Sequence, residues 1–184
     1  MALAKLMSFC FFVMVGADML DILRPKTIRI YKFEGVCRGY ENAPIVLKNI
    51  HLKYSNKIHL ISLVSVAREN LQEGLKLKLD LKRCQSRESL DSCEKYQTVV
   101  INHLCDLING ENKPWSPLVK MSDPPMHCPI RKGVSYVRNG TFDGSAFSHL
   151  PVSGWYWIAT AYGLGEKTNR VLFCVKFEGQ LVSS

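Results

Sequence analysis

Downstream of Ala17, the side chains with the richest chemistry are six cysteines: Cys37, Cys84, Cys93, Cys105, Cys128 and Cys174. Such a set can cross-link, bind metal or attack a substrate, and its spacing argues for cross-links. There is no C-x-x-C pair, and no histidine pair stands at zinc-finger spacing from two cysteines. His127 adjoins Cys128, but no second pair completes a ligand set, so no metal is expected. An even count in an oxidising compartment implies three disulfides. Spacing alone does not choose among the connectivities that six cysteines allow.

Catalytic patterns are thin. Ser92-Cys93-Glu94-Lys95 fits S-x-x-K, but no K-T-G accompanies it, and Ser92 reads as a helix cap. The chain has no G-x-S-x-G, no H-E-x-x-H and no P-loop. His51, His59, His103, His127 and His149 are spread out, with no two at i, i+4. The acids form no clear glycosidase pair. Neither an enzyme nor a cofactor is expected. Asn139-Gly140-Thr141 is the one N-glycosylation sequon, and Asn139 is its acceptor.

The chain opens with Lys5, an apolar run from Leu6 to Val15, and small residues at Gly16 and Ala17. That order reads as a signal peptide over 1–17, with a single domain over 18–184. The run is too short to span a bilayer. Secretion to an extracellular, oxidising setting is the expectation. The formal net charge is +8, but the basic residues are scattered. Without a dense basic run, nucleic-acid binding is not expected. Attraction to an anionic membrane surface or an acidic partner fits better.

The elements that must position these residues are mostly extended. Strands are expected over Thr27 to Cys37, Ile45 to Tyr54, Ile58 to Arg68 and Leu75 to Arg83. The apolar phase of the second shifts near Asn49, which predicts a bulge. In the fourth, Leu75, Leu77, Leu79 and Leu81 alternate with Lys76, Lys78, Asp80 and Lys82. Period two puts the leucines on one face, toward a core or cavity, and the charges in water. After Ser92, Cys93, Tyr96, Val99, Val100, Leu104, Leu107 and Ile108 recur at helical spacing. One helix of about 16 residues, capped by Ser92 and stopped by Gly110, is the expectation there. Pro114, Pro117, Pro124 and Pro125 imply an irregular crossing. Strands resume over Ile130 to Phe142, Gly154 to Tyr162 and Arg170 to Phe177, with a loop from Asp143 to Ser153. Trp155, Tyr156 and Trp157 put an aromatic ring on each face of their strand, and Val171, Phe173, Val175 and Phe177 alternate. The pattern predicts a mainly β, antiparallel two-sheet sandwich or cup with one helix. Periodicity does not separate a filled interior from a hollow one.

Three stretches point to a family: Tyr31-Lys32-Phe33-Glu34-Gly35-Val36-Cys37; His103-Leu104-Cys105-Asp106-Leu107-Ile108 with Trp115; and Cys128-Pro129-Ile130-Arg131-Lys132-Gly133-Val134-Ser135-Tyr136. Leu150-Pro151 and Gly154-Trp155-Tyr156 follow. In this order they resemble the insect secreted proteins of the lipid-recognition (ML-like, ganglioside-activator-like) group, which includes the CheA and CheB chemosensory proteins. The resemblance covers roughly Thr27 to Phe177. It implies a β-cup, two sheets splayed around an apolar cavity. It also implies the pairs Cys37–Cys174, Cys84–Cys93 and Cys105–Cys128. An extra bridge that the activators carry near the Cys105 equivalent has no counterpart here, so the mouth of the cup is expected to differ in shape.

On this footing Leu75, Leu77, Leu79, Leu81, Trp155, Trp157, Phe173 and Val175 are the expected cavity lining. Arg131 and Lys132, following Cys128-Pro129, are the expected rim groups for a headgroup. Each buried methylene contributes about 0.8 kcal/mol, while association costs about 4–15 kcal/mol. A dry cavity therefore selects a ligand with on the order of ten or more buried carbons. The expected partner is a lipid, fatty acid, sterol or long-chain hydrocarbon, with a chemosensory receptor or membrane as recipient. The rival expectations are a secreted interaction protein with a filled core and a secreted hydrolase with a hidden site.

Overall fold

The structure is a computed structural model that describes residues 26–183 except 57, 109 and 144–153. Among the described residues there are nine strands: β1 Lys26–Glu34, β2 Ile45–Ser55, β3 Ile58–Ala67, β4 Leu75–Cys84, β5 Glu94–Ile101, β6 Ser122–Asp123, β7 Gly133–Gly140, β8 Tyr156–Gly165 and β9 Val171–Ser183. They form a five-stranded sheet ordered β1-β9-β8-β4-β5 and a four-stranded sheet ordered β2-β3-β7-β6. All pairings are antiparallel. The fold is a disulfide-stapled β-sandwich, as expected. The expected leader, His149 and Leu150-Pro151 lie outside the described residues.

The expected long helix between Ser92 and Gly110 is corrected. Glu94–Ile101 is β5, an edge strand paired with β4, and among the described residues of this span only Leu104–Ile108 is α-helical (α1). Thr98, Val99, Val100 and Ile101 are all β-branched, stiff at χ1 and better suited to a pleated surface. The Cys84–Cys93 bridge also ties the end of β4 to the start of β5, with Cα atoms 4.0 Å apart. Ser92 caps no helix there. Its hydroxyl accepts from the Gln85 N–H at 2.9 Å and donates to the Ser89 carbonyl at 2.5 Å, closing the turn between the strands. The irregular crossing contains a second short helix, α2 Ser116–Lys120, with proline in its first turn.

The bulge expected near Asn49 is present: the β2–β3 register shifts between Lys48 and His51, and Asn49 takes a positive φ of 50°. The strand expected to begin at Ile130 begins at Gly133; Ile130 makes only an isolated bridge to Leu71. Three bridges close: Cys37–Cys174, Cys84–Cys93 and Cys105–Cys128. The first joins residues 137 apart in sequence and ties the turn after β1 to β9. Long closures of this kind restrict the unfolded chain most.

Two buried clusters fill part of the interior. One gathers Ile45, Ala67, Leu71, Leu75, Leu104 and Leu172, with Leu77, Trp115, Ile130 and Phe173 packed against it. The other gathers Ile30, Ile61, Leu63 and Val137, with Phe33, Leu47, Ile50 and Leu118 around it. The main approaches between sheets, β1 to β3 and β2 to β9, lie on the β1–β9 side of the five-stranded sheet. The sheets are thus clamped along one side, and β4 and β5 lie away from it.

Candidate apolar ligand site

Strand register fixes which side chains share a face. Leu77, Leu79 and Leu81 stand opposite Gly163, Ala161 and Ala159 of β8. Those three stand opposite Phe173, Val175 and Phe177 of β9. On the far side of β4, Leu77 and Leu79 face Ile101 and Val99 of β5. Cross-strand partners point to the same side, so one surface, apolar except for the exposed Gln97 opposite Leu81, runs across four strands. Trp157 shares it, because it stands opposite Arg83 and two residues before Ala159. That fixes the inward phase of β8, which alternation alone left open.

The opposite face is polar. Lys78 pairs with Asp80 at 3.1 Å, and Lys176 with Glu178 at 3.1 Å. The Thr98 hydroxyl donates to Asp80 at 2.7 Å, and with Lys78 this holds the Asp80 carboxyl below its usual range despite partial burial. At the β1 end of this face, Tyr156 is buried and its hydroxyl donates to Glu178 at 2.9 Å. Burial and that carboxylate push the Tyr156 phenol up to about 12. Glu178 is itself only 9% exposed. Burial acts to raise its pKa, but Lys176 and the Tyr156 hydroxyl outweigh it and hold the carboxyl low.

The leucine row divides along its length. Leu75 is 2% exposed and belongs to the first buried cluster, and Leu77 packs against that cluster. Leu79 and Leu81 are half-buried and belong to neither cluster, and the same holds for Val99, Ile101, Trp157 and Phe177. Phe173 joins the first cluster and lays its ring over Gly163, where the ring leaves no room for a Cβ. Val175 is 8% exposed, and Ala159 and Ala161 are also buried. The half-buried part of this surface therefore runs along β4 and β5 from Leu79 toward the end of the strand, with Trp157 of β8 and Phe177 of β9 beside it.

Aromatic rings gather at that end. The β4–β5 register shifts between Leu81 and Lys82, where Tyr96 is the extra residue on β5. Its ring meets Trp157 edge-on at 5.0 Å. The Arg83 guanidinium lies 5.3 Å from the Tyr96 ring centre and 4.7 Å from that of Trp155. Thus Trp155 and Trp157, both expected to line the cavity, stand at one end of the half-buried row.

Arg131 and Lys132 stand elsewhere. Both are exposed, and the Lys132 N–H donates to Asn70 at 2.8 Å. Arg131 lines a separate pocket of about 350 Å³ with Asn70, Gln72, Pro129 and Ile130, and no β4 leucine lines it. This pocket neighbours Leu71 and hence the closed, Leu75 end of β4. Leu75 and Arg83 lie about 27 Å apart along the strand at roughly 3.4 Å per residue. The two basic residues are therefore not gathered with Trp155 and Trp157.

Sequence reasoning passed over Arg83, Tyr96, Val99 and Ile101. Arg83 was within reach, since it continues the alternation Leu77, Leu79, Leu81. Tyr96, Val99 and Ile101 were obscured by the helical spacing of β5. Asn139 is exposed at the end of β7, in the left-handed region at φ 53°. Among the described residues, no three of His, Cys, Asp and Glu stand together to hold a metal, and no helix is long and apolar enough to cross a membrane.

The class that fold and site define is an antiparallel β-sandwich with three disulfides and an apolar inner face incompletely covered on its β4–β5 side. Comparison with protein-family models and with curated proteins finds no match to this chain.

Proposed function

We propose that this protein is a secreted, non-enzymatic carrier of a long-chain apolar ligand, which it holds against the inner face of β4 and β5. The observation that carries this reading is the half-buried row Leu79, Leu81 and Val99, which among the described residues joins neither buried cluster. A carrier must keep such a surface in reserve, because a filled core leaves nothing for a guest. Disulfides fit this task, since they hold the sandwich together where core packing is incomplete. They also place the chain in an oxidising compartment. Secretion, a glycan on Asn139 and a role in chemosensation or pheromone detection follow from the leader, the sequon and the resemblance to the lipid-recognition group. Headgroup capture by Arg131 and Lys132 is not part of this proposal, because they stand with the closed end of β4.

Native mass spectrometry of protein expressed through a secretory pathway tests the proposal. The carrier reading predicts adducts of lipid mass, or uptake of added fatty acid at about one per chain. Protein that emerges empty and takes up no fatty acid, fatty alcohol or sterol refutes it.

A further inference from the structure

We infer that Arg83 is the headgroup anchor of this site and that its ligand is a single-chain, long-chain carboxylate. The inference rests on the carrier reading and narrows it. Arg83 occupies the next inward position after Leu81 on β4, so its charge stands where the apolar row ends. Its Nε donates to Glu94 Oε1 at 2.6 Å. Among the described residues Glu94 is the polar partner of the guanidinium, and it engages Nε alone. The edge formed by the two terminal nitrogens is left for a second acceptor.

The rings of Trp155 and Tyr96 hold the guanidinium in place. Stacking of this kind fixes the plane of an arginine and weakens its competition for water. A planar carboxylate suits the remaining edge, because two parallel N–H···O bonds match its two oxygens. A phosphate dianion suits it less, since Glu94 stands beside it and like charges repel. An uncharged alcohol or hydrocarbon gains nothing from the guanidinium. With the carboxylate on Arg83, the tail is directed over Leu81, Leu79 and Val99 toward the closed end of β4.

The test measures binding of radiolabelled palmitate and radiolabelled hexadecanol to the intact, disulfide-bonded protein by gel filtration. Their tails match and only the headgroup differs. The inference predicts palmitate to bind about tenfold more tightly. Arg83→Gln should erase that preference while hexadecanol binding persists, which also reports that the variant is folded. Glu94→Gln is the second variant: by removing the competing carboxylate it should strengthen palmitate binding and leave hexadecanol unchanged. Equal binding of acid and alcohol by the unaltered protein, or a preference that survives Arg83→Gln, overturns the inference and leaves the carrier reading standing. Failure of both ligands to bind overturns the carrier reading, and the inference with it.

Discussion

At the residue scale, the four leucines of β4 are chemically identical and do different work. Leu75 is enclosed, so Leu75→Ala removes packed methyl groups and leaves a cavity, at a cost of about 2–5 kcal/mol. Leu81 is half-buried outside both clusters, so Leu81→Ala should cost less than half as much and should weaken fatty-acid uptake several-fold. Denaturant midpoints and ligand titrations on the two variants check both expectations. Equal destabilisation would make Leu81 an ordinary core residue. Glu178 provides a pH prediction. Its folded pKa lies below the usual 4.5, because Lys176 and Tyr156 outweigh the opposing effect of burial. A depressed carboxyl contributes stability that is fully present above the unfolded value and is lost as pH falls through the folded one. The thermal midpoint should therefore begin to decline as pH drops below 4.5, and Glu178→Gln should flatten that decline. Alternation made the leucine face legible, but it carries no record of how far the opposite sheet reaches. The split between Leu75 and Leu81 was therefore invisible in the sequence.

At the scale of elements, β5 is the instructive case. Cys93, Tyr96, Val99 and Val100 fit a helical period, while the β-branched run Thr98, Val99, Val100 and Ile101 fits a strand. Short apolar runs of β-branched residues satisfy both, and the β4 partner decides. The Cys84–Cys93 bridge makes that partner immediate. Replacing both cysteines by serine should cost about 2–3 kcal/mol and release β5 first, because among the described strands β5 pairs with β4 alone. Amide hydrogen exchange should show Glu94–Ile101 losing protection while β8 and β9 keep theirs. Uniform loss across the five-stranded sheet would contradict this role. The same edge position explains why Tyr96 was missed: a bulge, which the sequence gives little sign of, turns its ring toward Trp157.

At the scale of the whole molecule, the two-sheet architecture was legible because strands, turns and a leucine stripe all agree on it. The disulfide pairs came from resemblance rather than spacing, and the structure closes the same three. What the sequence did not hold is the relation between sheets. Clamping along β1 and β9 leaves the β4–β5 side incompletely covered, and this depends on contacts between residues far apart in the chain. A second apolar surface competes for attention: Val134 and Tyr136 are exposed on the outer face of the four-stranded sheet, beside Val66 and Val64. Methyl NMR on selectively labelled protein, titrated with palmitate, distinguishes the two faces directly. The account predicts intermolecular contacts from the acyl chain to Leu79, Leu81 and Val99. Contacts confined to Val64, Val66 and Val134, or none at all, would contradict it.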